Sequence, residues 1–220
     1  MIDTDHGVAP PPHVIPPPHN DSRRSRSSRS EGAKSIFSTL AVLLVAPLIA
    51  IFLTVFVFQS YQVDGVSMET TLSHNDRLVV WKMPKTWSKI TGHTYIPKRG
   101  DIVVFTEPNL SQFGQDPSKQ LIKRVIGLPG ERVIVRNQTL TVYNQARPDG
   151  FKPDQDLPYG NVIKDTTMDG EWTVGKGQIF VAGDNRSNSL DSRSFGPINA
   201  SNIVGKLVVR VLPLDDVKRF

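Results

Sequence analysis

LIKRVIGLPGERVIVR, residues 121–136, decides the fold. Val and Ile recur in it at the density of strands, and Gly127, Pro129 and Gly130 break it in the middle. It reads as two short strands joined by a turn. Working outward, runs of the same kind recur as LVVWK (78–82), DIVVF (101–105), TLTVY (139–143), QIFVAG (178–183) and VGKLVVRV (204–211), separated by Gly, Pro, Asn and Asp. No amphipathic helical period of any length competes with them. Residues 59–220 are therefore expected to form an all-β domain. The polar stretch 144–176, with Pro148, Pro153 and Pro158, reads as loops and minor strands, so an inserted small β subdomain is expected at about 137–177.

Upstream, IFSTLAVLLVAPLIAIFLTVFVF (36–58) holds 23 residues without a charge. As a helix it would be about 35 Å long, enough for a hydrocarbon core of about 30 Å. Pro47 is tolerable in such a span. A cleaved signal peptide fits poorly: the basic region lies far from the terminus and no Ala-x-Ala site follows. One uncleaved transmembrane helix is expected over 35–58. Arg23, Arg24, Arg26, Arg29 and Lys34 precede it, whereas 59–75 carries Asp64 and Glu69 and no Lys or Arg. Positive flanks stay inside, which puts the amino terminus in the cytoplasm and 59–220 outside the plasma membrane. Residues 1–34, rich in Pro and then in Ser and Arg, are expected to be a disordered tail. Trp87, between Lys85 and Lys89, is either an interfacial anchor or a loop tryptophan packed on the sheet.

Composition excludes several chemistries. The 220 residues contain no Cys, so there is no disulfide scaffold, thiol nucleophile or iron–sulfur cluster. Outside the tail only His74 and His93 remain, with no HExxH, and no metal is expected. There is no G-x-S-x-G, no S-x-x-K and no P-loop. The net charge of +5 is explained at its basic end by topology and elsewhere is spread out, so no nucleic-acid partner is expected.

What remains is an ordered set of segments behind the apolar run: VDGVSMETTL (63–72), DRLVVWK (76–82), KRGDIVVF (98–105), LIKRVIGLPGE (121–131) and GDNRSNSLDSRSFGPI (183–198). This set resembles the bacterial type I signal peptidases, membrane-bound serine endopeptidases with a Ser-Lys dyad. The one-span form with Gly65 is similar to the Gram-positive branch. The resemblance implies a signal-peptidase-type catalytic β core and removal of amino-terminal signal peptides from exported preproteins after Ala-x-Ala-like sites. Ser67 would be the nucleophile and Lys123 the general base of an acyl-enzyme mechanism. Ser189 would orient the lysine, and Asp191 and Arg193 would hold their loop in shape. Met68, Leu72 and Ile122 match pocket-lining positions, with Val63 a weaker candidate. No cofactor is implied. The partners would be signal peptides and membrane lipid, for a monomer working near the secretion translocon.

The residues themselves agree. With no histidine in a catalytic setting, a lysine must activate a serine. Lys123 stands in a strand whose alternation can turn its ammonium inward, and desolvation would make it a base. Two departures from the family pattern stand out: Thr70 replaces a usual Pro, and Gly65 stands where some members carry a Ser that helps the oxyanion hole. If only that hydroxyl matters, Gly65→Ser should be tolerated, while Gly65→Val should crowd the substrate. The rival readings are a self-cleaving Ser-Lys protease of the repressor-inactivating kind, against which the uncleaved span and outward topology argue, and a noncatalytic anchored β domain, in which Ser67 and Lys123 are dispensable.

Overall fold

The structure is a computed structural model. It describes residues 27–220 except 83–85, 87, 89 and 164, so most of the tail and Trp87 lie outside the described residues. The chain divides into two compact units after Ile49.

Helix α1 spans Ser27–Phe52, beginning earlier than the expected position 35. Pro47 lies inside it. It does not run to the end of the apolar stretch. Leu53–Val57 form a π turn and Phe58 already opens a strand. Thr54 Oγ1 bonds back to the Ala50 carbonyl at 2.8 Å, and such back-bonding bends helices. Among the described residues no helix is long and apolar enough to cross a membrane.

The expected strands are all present: β2 (Arg77–Trp81), β3 (Ile102–Thr106), β4 (Gln120–Gly127), β5 (Arg132–Arg136), β6 (Thr139–Asn144), β9 (Gln178–Ala182) and β11 (Ile203–Leu212). β7 (Arg147–Phe151) and β8 (Gly170–Thr173) are minor strands of the kind expected in 144–176, and three more were not anticipated: β1 (Phe58–Gln62), β10 (Ile198–Asn199) and β12 (Lys218–Arg219). The larger sheet runs β1-β2-β11-β3-β4-β9-β10, with β12 beside β11. The smaller runs β7-β6-β5-β8 and includes β5, so it starts at Arg132 rather than near 137. The two sheets share a core in which Val133, Val135, Leu140 and Val142 of the smaller meet Ile126, Phe180 and Ala182 of the larger. Two other clusters fill the larger sheet, one around Val103, Phe105, Val125 and Val181, the other around Val63, Leu72, Leu78 and Leu207.

One pairing detail positions everything that follows. β4 pairs with β3 over Gln120–Arg124, but on its other side β9 pairs only from Arg124 onward. Gln120–Lys123 thus keep one unpaired edge among the described residues. β1 is the edge strand of the sheet.

Candidate active site

Ser67 sits in the turn that follows β1 and its extension through Val63. The turn closes on itself through Glu69 N to Val66 O at 3.1 Å and Thr71 N to Met68 O at 2.9 Å. Asn185 grips it from the opposite loop: its amide donates to Ser67 O and its side-chain amide to Val66 O, both at 3.1 Å. Gly65, at the entry to the turn, has φ of +110°, a conformation that side chains rarely adopt. A Cβ there would meet nothing within 4 Å. Within the chain, backbone conformation rather than crowding therefore favours glycine here.

Lys123 lies in β4 opposite Val103 and shares its face with Leu121 and Val125. Only 3% of it is exposed. Its Nζ is 2.7 Å from Ser67 Oγ and donates to the Ile122 carbonyl at 2.9 Å. Burial among apolar neighbours pushes the amine down to about 8. Asp191 and Asp184 pull the other way, and Lys119 and Arg193 add to the depression. A neutral lysine within hydrogen-bonding distance of a serine hydroxyl can take its proton.

Behind this pair, three segments are tied by one buried knot. Arg124 donates from Nε and Nη2 to the two oxygens of Asp184 at 2.8 and 2.5 Å. Thr71 Oγ1 donates to Asp184 at 2.5 Å. Arg124 also bonds the Gly100 carbonyl and stacks on Tyr159. The residue after Lys123, the turn of Ser67 and the 183–195 loop are thereby locked together. In that loop Asp191 accepts from the Gly183 amide at 2.9 Å and from Arg193 Nε and Nη2 at 2.9 and 2.7 Å. Burial works to raise the Asp191 carboxyl, but the Arg193 bond and charge, then the Gly183 amide, hold it below the usual range. Arg193 Nη1 bonds the Arg186 and Thr167 carbonyls, while Arg186 pairs with Asp154 and bonds Thr166.

Of the expected site residues, Ser67 and Lys123 are brought together, and Asp191 and Arg193 pair. Ser189 does not bond Lys123: its buried Oγ has no hydrogen-bond partner among the described residues. Its dipole still favours the Asp191 anion, without a bond of normal geometry. It packs so closely on Gly183 that a Cβ there would lie 2.2 Å from its Oγ and 2.4 Å from Ser67 O. Ile122 and Val63 line a cleft of about 340 Å³ that reaches Ser67 and Lys123. Met68 and Leu72 do not line it. They are 1% and 0% exposed and belong to the same core cluster as Val63 and Leu78, so they back the wall rather than form it. The sequence reading missed Thr71, Asp154 and Thr166. They are joined to their partners across 113, 32 and 20 residues, and no local pattern marks such pairs. Among the described residues no cluster could hold a metal ion.

Residues 36–212 match the family described as signal peptidase, peptidase S26. The chain belongs to that family. Signal peptidase I V of Bacillus subtilis is 39% identical over 156 residues, covering 68% of this chain and 83% of that protein. Signal peptidase I P of Bacillus subtilis subsp. natto is 33% identical over 186 residues, covering 84% and 93%. A crystal structure of a signal peptidase I from Enterococcus faecalis superposes with a TM-score of 0.39 at 30% identity, over 52% of this chain and 98% of that one. In this peptidase S26 chain Ser67 and Lys123 stand side by side and line one cleft.

Proposed function

We propose that the chain is a type I signal peptidase that cuts exported preproteins by a Ser67–Lys123 acyl-enzyme mechanism. The contact between Lys123 Nζ and Ser67 Oγ at 2.7 Å, inside a cleft, carries this reading. A substrate segment enters the cleft extended, alongside the unpaired edge of Gln120–Lys123. Lys123 accepts the Ser67 proton as Oγ attacks the scissile carbonyl, then delivers it to the leaving amine. Water, activated by the same amine, hydrolyses the ester and frees Ser67. The Ser67 amide stabilises the oxyanion. Ser189, with a buried hydroxyl free to bond, orients the Lys123 amine once Ser67 is acylated. Asp191 and Arg193 keep that loop in register.

The uncharged run 36–58 anchors the enzyme in the plasma membrane as a single span, with the amino terminus in the cytoplasm and 59–220 outside. The exposed Leu43, Leu44, Leu48 and Phe52 of α1 and the basic residues ahead of them support this. Purified enzyme incubated with a preprotein should release two fragments whose masses place one cut after a small residue. Ser67→Ala should release none. Cutting by the alanine variant, or at scattered sites, would overturn the reading.

A further inference from the structure

The stretch Gly65–Ser67 is held from two sides. Asn185 takes the Val66 and Ser67 carbonyls from the 183–195 loop. On the other side the Gly65 amide donates to His74 Nδ1 at 3.3 Å, its one hydrogen-bond partner among the described residues. Sheet geometry explains why a side chain is needed there. β1 pairs with β2 as far as Gln62 opposite Arg77, and the ladder runs on one step, with Val63 N donating to Asp76 O at 2.9 Å. In an antiparallel ladder the next amide to point that way is two residues on, at Gly65. By then the partner chain has turned. Asn75 has φ of +73°, its amide takes the Val63 carbonyl at 2.9 Å, and Asp76 N closes on Ser73 O at 3.1 Å. The imidazole stands in for the main-chain carbonyl that the turn withholds.

The turn that carries His74 is itself fixed: Asp76 accepts from Ser73 N at 2.9 Å and from Arg210 at 3.0 Å, and Gln62 bonds the Asn75 side chain at 2.8 Å. An amide can only donate, so Nδ1 is the bare nitrogen of the ring. Asp64 Oδ1 lies 3.8 Å from it, beyond hydrogen-bonding distance, which leaves the amide as its partner. The ring is otherwise half exposed and has little packing to lose. Gly65 is where such a restraint matters. Its φ of +110° belongs to a region that glycine enters and leaves freely, and Ser67 follows two residues later. A small misplacement of a reacting group costs rate.

We infer that His74 is a positioning residue: its Nδ1, in place of a missing main-chain acceptor, holds Gly65 and thereby aims Ser67. This rests on the proposed function above. The test uses the full-length enzyme in detergent and one synthetic peptide spanning a signal-peptide junction, with kcat and KM measured separately. His74→Ala should lower kcat by about three- to tenfold, the worth of one hydrogen bond, and leave KM unchanged. His74→Asn, whose Oδ1 comes close to the place of Nδ1, should recover most of that loss. His74→Gln, whose acceptor extends to the place of Nε2, should not. An unaltered kcat in His74→Ala, or an Asn variant no better than the Gln variant, would overturn the inference. So would a raised KM with kcat intact, which marks a contact with substrate. If thermal melts show His74→Ala unfolded, the comparison of Asn with Gln decides. If the unaltered enzyme does not cut the peptide, the proposed function falls and this inference with it; if it cuts and all three variants match it, only the role of His74 falls.

Discussion

Lys123 can take a proton from Ser67 only as the free amine, and its apolar surroundings bring that form within reach of neutral pH. The sign is simple. Below about 8 the amine is protonated and idle, so kcat/KM should rise with pH through a single ionisation near 8 and level above it. A rate still climbing at about pH 10, the value of an ordinary lysine, would show that burial does not tune this amine. Ser67→Ala and Lys123→Ala should each abolish cleavage, and the double variant should be no worse than either, because parts of one catalytic unit fail together. Circular dichroism should show all three folded. Substantial cleavage by Lys123→Ala would remove the dyad. Gly65 follows a different logic. The hydroxyl argument favours tolerance of Ser, but a φ of +110° penalises any side chain whatever space surrounds it. Gly65→Ser should therefore lower stability by about 1–2 kcal/mol, the scale of left-handed backbone strain, and lower the rate as well. Thermal melts and peptide assays measure both, and a fully stable, faster Gly65→Ser enzyme would refute the backbone account.

Between elements, the Arg124–Asp184–Thr71 knot is what brings β4, the Ser67 turn and the 183–195 loop to one place. Arg124 and Asp184 are both almost wholly buried. Asp184→Ala should cost about 3–5 kcal/mol, since it strands a buried guanidinium. Arg124→Met combined with Asp184→Leu should cost less than the sum of the single changes. Denaturant titration of the four proteins tests this, and strict additivity would mean that the pair is not coupled. Elements of this kind differ in how far a sequence betrays them. Val- and Ile-rich runs such as β3, β4 and β9 announce themselves, because burial on both faces demands such residues. FQSYQ, which forms β1, does not: it mixes polar and aromatic residues on both faces and follows directly on an apolar run, and only its five-residue register with β2 makes it a strand. The meeting of Ser67 and Lys123 was legible through their motifs, whereas the core placement of Met68 and Leu72 depends on how the turn folds under, which spacing alone does not tell.

At the scale of the whole molecule, the proposed topology rests on the charge asymmetry around 36–58. A Cys introduced at position 25, in a protein with no other Cys, should resist an impermeant thiol reagent on intact cells and react after permeabilisation. Labelling of intact cells would reverse the topology. Among the described residues the larger sheet, meanwhile, leaves open the flank of Gln120–Lys123 beside Ser67. A ladder left open there recognises main chain, which every polypeptide has, and can accept only a segment whose own amides and carbonyls are unspent. Folded cargo has few to offer, since its strands and helices already use most of them and its sheet edges are shielded. In the proposed reaction the gap in the ladder would thus act as a gauge of foldedness: it would admit the slack stretch at a junction and spare a domain whose main chain is already paired.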